Sequence, residues 1–114
     1  MLSFDNNLYD GIFCYGLLYL LNKAERQKLI RDCYNQLAEN GIMVFTAITK
    51  QAQTYKQGTF IEKDRYAMFG GVTIFFYDNE TINEEFGNAG LYDVSEVTEN
   101  YPFYLIKCRK NKMN

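Results

Sequence analysis

Two stretches decide the fold of this chain: Ile12-Phe13-Cys14-Tyr15, led in by Leu8-Tyr9-Asp10-Gly11, and Ile42-Met43-Val44-Phe45-Thr46-Ala47-Ile48. Both are continuously apolar rather than alternating, the pattern of a strand buried on both faces in a parallel sheet. A helical stretch lies between them. Asn22-Lys23-Ala24-Glu25 offers a cap residue and, three positions on, a glutamate able to return a bond to the cap's backbone amide. Ile30, Cys33 and Leu37, with Leu29 beside them, keep helical spacing, while Glu25, Arg26, Lys28, Arg31 and Asp32 fall mostly on the solvent side. Asn40-Gly41 supplies a left-handed closure, so the helix is expected over Asn22–Asn40. Strand, helix and strand within about 40 residues make a βαβ unit with parallel strands.

Working outward, Thr49 to Gly71 loses periodicity and mixes Lys and Gln with Tyr55, Phe60, Tyr66 and Phe69. It reads as a long excursion of the functional or mobile kind. Val72 to Tyr77 follows as a short strand, and Asn79 to Ala89 as a second helix, with Ile82, Phe86 and Ala89 on one stripe. Leu91–Glu99 and Phe103–Arg109, separated by Asn100-Tyr101-Pro102, suit an antiparallel hairpin.

The chain has 114 residues, 47% apolar and 23% charged, with a net charge of −2, which describes one compact domain with a sizeable core. The slightly acidic balance, without a Lys/Arg run, argues against phosphate-driven nucleic-acid binding. The apolar run Gly11 to Leu21 is about half of the ~20 residues a membrane span needs and lacks a basic flank, so neither anchor nor signal peptide is expected. Three irregularly spaced cysteines and no histidine exclude His-dependent catalysis, disfavour a metal site and suit reduced thiols in the cytoplasm.

Several local patterns then resemble the C-terminal half of a class I S-adenosylmethionine-dependent methyltransferase. Residues 2–13 (LSFDNNLYDGIF) are similar to the family's "LPF-x-D-x-x-F-D-x-I" approach to its fourth strand, and Leu17-Leu18-Tyr19-Leu20 to the "v-L-h-h-L" that follows. Residues 31–41 (RDCYNQLAENG) resemble the "r-x-L-k-p-G-G" passage, with Glu39-Asn40-Gly41 in place of Lys-Pro-Gly. Phe86-x-x-Ala89-Gly90-Leu91 resembles "l-x-x-A-G-F" before the sixth strand. Four such patterns in order imply an α/β fold with the Rossmann-like strand order 4-5-7-6, parallel strands plus an antiparallel hairpin, and helices on one face. Residues 1–114 then form a partial methyltransferase domain, with 50–77 as an insertion or lid.

The resemblance implies an enzyme acting on a small molecule with S-adenosylmethionine as cofactor. Phe4, Asp5, Cys14, Tyr15, Gly16 and Tyr19 match cofactor-lining positions, with Leu17 beside them. Tyr55, Glu62, Tyr66 and Tyr77 are expected at the methyl acceptor, and no catalytic residue is assigned. The chain holds no G-x-G turn, the element by which dinucleotide folds approach a cofactor's phosphates. The isolated chain is therefore expected to be inactive: a truncated product, an expressed fragment or one piece of a split enzyme. Side chains around Ile12, Val44, Phe45 and Leu105 are expected on an uncovered sheet face. That face implies a homodimer, by antiparallel pairing of first-strand edges or face-to-face packing, or association with an N-terminal half. The alternative function is a non-catalytic oligomerisation or interaction module on the same scaffold.

Overall fold

The computed structural model of the chain describes residues 8–68, 70–98 and 102–111. Strand β1 (Tyr9–Cys14) leads through a single 3-10 turn, Leu18–Leu20, into helix α1 (Lys23–Asn35). Strand β2 (Leu37–Ile48) returns parallel to β1, with Phe13 beside Val44 and Cys14 beside Phe45. Three short strands follow, β3 (Thr59–Glu62), β4 (Arg65–Ala67) and β5 (Thr73–Phe75), and then helix α2 (Asn79–Phe86). The hairpin β6 (Leu91–Val97) and β7 (Phe103–Arg109) ends the described fold. β7 inserts antiparallel between β2 and β6, giving the order β1-β2-β7-β6, which is the mixed sheet expected from the sequence.

Alternation along the strands sorts the core. Met43, Phe45 and Ala47 of β2 and Tyr104, Ile106 and Cys108 of β7 point to the layer that holds Leu29, Ile30 and Cys33 of α1 with Ile82 and Phe86 of α2. Ile12 and Cys14 of β1 pack against the same cluster. The expectation that Ile12 and Phe45 face away from the helices is therefore corrected: their register puts them on the covered side. Phe13, Val44 and Leu105 alternate to the other face, over which no helix lies among the described residues. β1 is also less buried than its apolar run implies, because it is an edge strand, with Phe13 59% exposed.

Asn22 and Glu25 form the expected capping box, with Asn22 Oδ1 accepting from the Glu25 amide at 2.8 Å and Glu25 Oε1 accepting from the Asn22 amide at 3.0 Å. The helix ends at Asn35, five residues before the expected Asn40, because Leu37 already pairs with Tyr9. Asn40 does take a left-handed φ of 65°, but as an irregularity within β2. Gly41 is required by crowding, since a Cβ there would meet the Ala38, Tyr9 and Asp10 carbonyl oxygens at 2.9–3.1 Å. The excursion after Thr49 is not irregular: β3, β4 and β5 form an antiparallel three-stranded sheet.

Helices and excursion are joined by a buried polar cluster centred on Arg26, which the amphipathic pattern placed toward solvent. Arg26 is 2% exposed. Its guanidinium lies 3.7 Å over the Phe75 ring, donates from Nη2 to Glu85 Oε2 at 2.9 Å, and donates from Nη1 to the Leu21 carbonyl at 2.9 Å. The Tyr77 hydroxyl donates to Glu85 Oε1 at 2.7 Å.

Candidate functional site

Open α/β sheets bind ligands outside the carboxyl ends of their parallel strands, and here those ends belong to β1 and β2. Cys14 closes β1, and Tyr15 turns outward with 63% of its surface exposed and its ring 6.4 Å from that of Phe13. Gly16 follows at φ +78°, a backbone shape that glycine adopts without a Cβ penalty. Its amide donates to Thr46 Oγ1 of β2 at 3.0 Å, which ties the turn to the neighbouring strand. The fully buried Leu18 seats the 3-10 turn, and half-buried Tyr19 beside it brings its hydroxyl to 3.7 Å from where a Gly16 Cβ would stand. Cys14, Tyr15, Gly16 and Tyr19 are thus consecutive parts of one strand end. Burial pushes the Cys14 thiol up from its ordinary range, so it is held as the neutral thiol. Phe4 and Asp5 lie outside the described residues.

The four acceptor-side candidates separate. Tyr55 and Tyr66 meet edge to face with ring centres 5.9 Å apart, and Phe76 packs on both. The Tyr55 hydroxyl donates to Asp64 Oδ1 at 2.7 Å; burial and that carboxylate push its pKa up to about 12, so it does not serve as a base near neutrality. Glu62 stays exposed on β3, 3.7 Å from Arg65, and lines a cleft of about 390 Å³ shared with Lys23 of α1 and Glu80 and Glu84 of α2. Tyr77 is a correction to the expected acceptor pocket. It is fully buried, its ring lies edge-on to Phe75 at 4.8 Å, and its hydroxyl is committed to Glu85, with burial the first cause of a strongly raised pKa.

Two partners were missed in the sequence. Thr46 is a polar residue inside an otherwise apolar run, a signal that a buried strand there needs a bonding partner. Lys50, just past β2, reaches Asp64 of the excursion at 3.0 Å and Asp78 at 2.6 Å. Asp78 in turn caps α2 by accepting from the Thr81 amide at 2.8 Å. The Lys50 ammonium and the Thr81 bonds hold Asp78 down at about 2.

Together, the mixed sheet with β7 inserted between β2 and β6 and helices on one face matches the class I methyltransferase fold of solved S-adenosylmethionine-dependent methyltransferases, over part of their length. The chain is similar to a methyltransferase of that kind from Methanosarcina mazei, at 12% identity over 99% of this chain and 64% of that one, with a TM-score of 0.79. It is also similar to the 1,6-didemethyltoxoflavin-N1-methyltransferase of Burkholderia thailandensis, crystallised with 1,6-didemethyltoxoflavin and S-adenosylhomocysteine, at 12% identity over 96% and 48% and a TM-score of 0.73. A third likeness is the N-methyltransferase NodS of Bradyrhizobium japonicum with S-adenosylhomocysteine, at 16% identity over 96% and 50% and a TM-score of 0.64. The chain therefore spans about half to two thirds of the length of these structures. No protein-family profile and no curated protein matches the sequence. Among the described residues no helix is long and apolar enough to cross a membrane, and no group of three His, Cys, Asp or Glu is placed to hold a metal ion.

The strand end leaves open surface beside the turn. Space around the Gly16 backbone is open apart from the Tyr19 hydroxyl, and Tyr15 and Tyr19 offer aromatic surface next to it. A cation is attracted to such ring faces.

Proposed function

We propose that this chain is the C-terminal portion of a cytoplasmic S-adenosylmethionine-dependent methyltransferase acting on a small molecule. The observation that carries the reading is the position of β7, antiparallel between β2 and β6, beside a parallel β1–β2 pair. Gly16, Tyr15, Cys14 and Tyr19 wall the methionine end of the cofactor, with the backbone turn allowing close approach and the rings facing the sulfonium. The cofactor brings an already activated methyl group, so the protein's task is to hold donor and acceptor in line. The excursion 50–77 covers the acceptor, with Tyr55 and Tyr66 as its aromatic floor and Glu62 at its rim. The chain by itself is inactive, because it holds no G-x-G turn to approach the cofactor, while Phe4 and Asp5 serve the adenine side.

Titrating the ¹⁵N-labelled chain with S-adenosylhomocysteine tests this. The expected result is weak, saturable movement of the Cys14, Tyr15, Gly16 and Tyr19 amides, reduced in Tyr15→Ala. Movement centred elsewhere, or none at millimolar ligand, contradicts the cofactor wall. A second reading, a non-catalytic interaction module on the same scaffold, is favoured by the exposed apolar row on β1 and expects no response at Gly16.

A further inference from the structure

A groove lies at the end of the sheet opposite the Gly16 turn, and no β1 residue lines it among the described residues. β7 runs antiparallel to β2, with Phe103 beside Ile48 and Arg109 beside Ile42, so Arg109 stands away from the carboxyl ends of the parallel strands. The groove consists of two hollows of about 440 and 350 Å³ that share Tyr34 and Asn88. That is the size range of small-molecule sites. One hollow has Tyr92 and Arg109 on its walls; the other lies between the last turns of α1 and α2, over the buried Ile30 and Ala89, with Arg31 at its rim.

Its charges are unbalanced. Glu85, the one carboxylate lining it among the described residues, is committed to Arg26 and the Tyr77 hydroxyl. Lys110 is committed too: Nζ donates to the Tyr34 carbonyl at 3.0 Å and lies 4.5 Å over that ring, which offsets the negative end of α1. Arg31 and Arg109 are left over. Neither forms an ion pair among the described residues, in a chain whose net charge is −2. Arg109 is nonetheless held in place, its guanidinium 5.1 Å over the Tyr92 ring. Packing against a ring fixes the plane of the guanidinium fork and leaves its N–H edge for a carboxylate or phosphate.

We propose that this groove binds a small aromatic anion, a ring system bearing a carboxylate or phosphate. The anion takes the Arg109 fork, and the ring lies against Tyr34 and Asn88 where the two hollows meet. Both parts of the ligand are needed. An inorganic anion would leave the apolar hollow over Ile30 and Ala89 unfilled, and an uncharged ring would leave Arg109 without a partner. A ligand here touches neither the Gly16 turn nor the excursion, so this inference does not depend on the methyltransferase reading, which the Gly16 titration tests separately.

Titration of the ¹⁵N-labelled chain with naphthyl phosphate and with naphthoate, using inorganic phosphate and naphthol as controls, tests it. The expected result is saturable movement of the Tyr34, Asn88, Gly90 and Tyr92 amides with at least one aromatic anion, roughly tenfold tighter than with either control. A response to one of the two anions alone supports the site and names the group the fork prefers. Arg109→Gln, at an exposed position, should weaken that binding by about tenfold with an unchanged circular dichroism spectrum. Arg109→Lys should recover only part of the loss, because an ammonium lacks the fork. No movement of these amides at millimolar ligand, movement confined to the Gly16 turn, or inorganic phosphate or naphthol binding as tightly as the aromatic anions overturns the proposal. So does binding indifferent to Arg109→Gln.

Discussion

Replacing Arg26 with methionine probes the join between the helices and the excursion. The Arg26–Glu85 pair is 2.9 Å long with side-chain exposures of 3% and 4%, so it belongs to the buried class. Removing the cation alone leaves the Glu85 carboxylate in the interior with the Tyr77 hydroxyl as its remaining donor among the described residues, and it removes the guanidinium stacked 3.7 Å over Phe75. Breaking a buried pair from one side costs about 3–5 kcal/mol, a large fraction of the ~5–15 kcal/mol that holds a domain together. The melting temperature should fall by roughly 15 °C. Arg26→Met with Glu85→Leu removes both charges and should recover most of that loss, since apolar replacements of whole buried pairs are near neutral. Urea unfolding followed by circular dichroism and tyrosine fluorescence, run as a double-mutant cycle, reads both values. A loss below about 1 kcal/mol for Arg26→Met, the range of surface pairs, would refute the buried placement of this cluster.

Three further outcomes follow from the geometry. Asp78 has a folded pKa of about 2, below its ordinary value of 3.8, so its contribution is fully present above pH ~4 and is lost as pH falls toward 2. Asp78→Asn keeps a capping side chain but should lose that part of the acid dependence, as stability measured from pH 2 to 6 will show; identical pH profiles for the two proteins would contradict the Lys50 link. Gly90→Ala would place a Cβ 2.0 Å from the Arg109 carbonyl oxygen at φ +75°, whereas Gly70→Ala at φ +99° meets nothing within 4 Å. The first should therefore cost clearly more than the ~1 kcal/mol of backbone strain expected of the second, and equal losses in denaturant unfolding would count against the β6–β7 register. Burial pushes the Cys33 and Cys108 thiols up to about 12. A thiol reagent at pH 8 should leave both unlabelled in the folded chain and reach all three cysteines only after unfolding; rapid native labelling at Cys108 would place β7 elsewhere.

The sequence was most legible where local chemistry and long-range packing agree. Asn22 and Glu25 mark a helix start whatever lies around them, and the runs at Ile12 and Ile42 become neighbouring strands because a βαβ unit has few alternatives. Leu37 was misread because its spacing from Cys33 continues the helical stripe while its burial is equally that of a strand residue. β3, β4 and β5 have three or four residues each, too few for alternation to register, and their pairing depends on contacts across the excursion. Arg26 defeated the amphipathic pattern because the excursion covers the side of α1 that would otherwise meet solvent. Of the candidate site, the strand end from Cys14 to Tyr19 came from local sequence. Thr46, 30 residues from Gly16, could be flagged as polar but not paired, and Lys50 with Asp64 and Asp78 is legible only in three dimensions.

Everything functional rests on β2 having β1 parallel on one side and β7 antiparallel on the other. Backbone nuclear Overhauser contacts of Met43 and Phe45 decide it. The account expects contacts to Ile12 and Cys14 across one edge and to Cys108 and Ile106 across the other. A β2 without β7 beside it, or with β1 antiparallel, would remove the methyltransferase arrangement altogether.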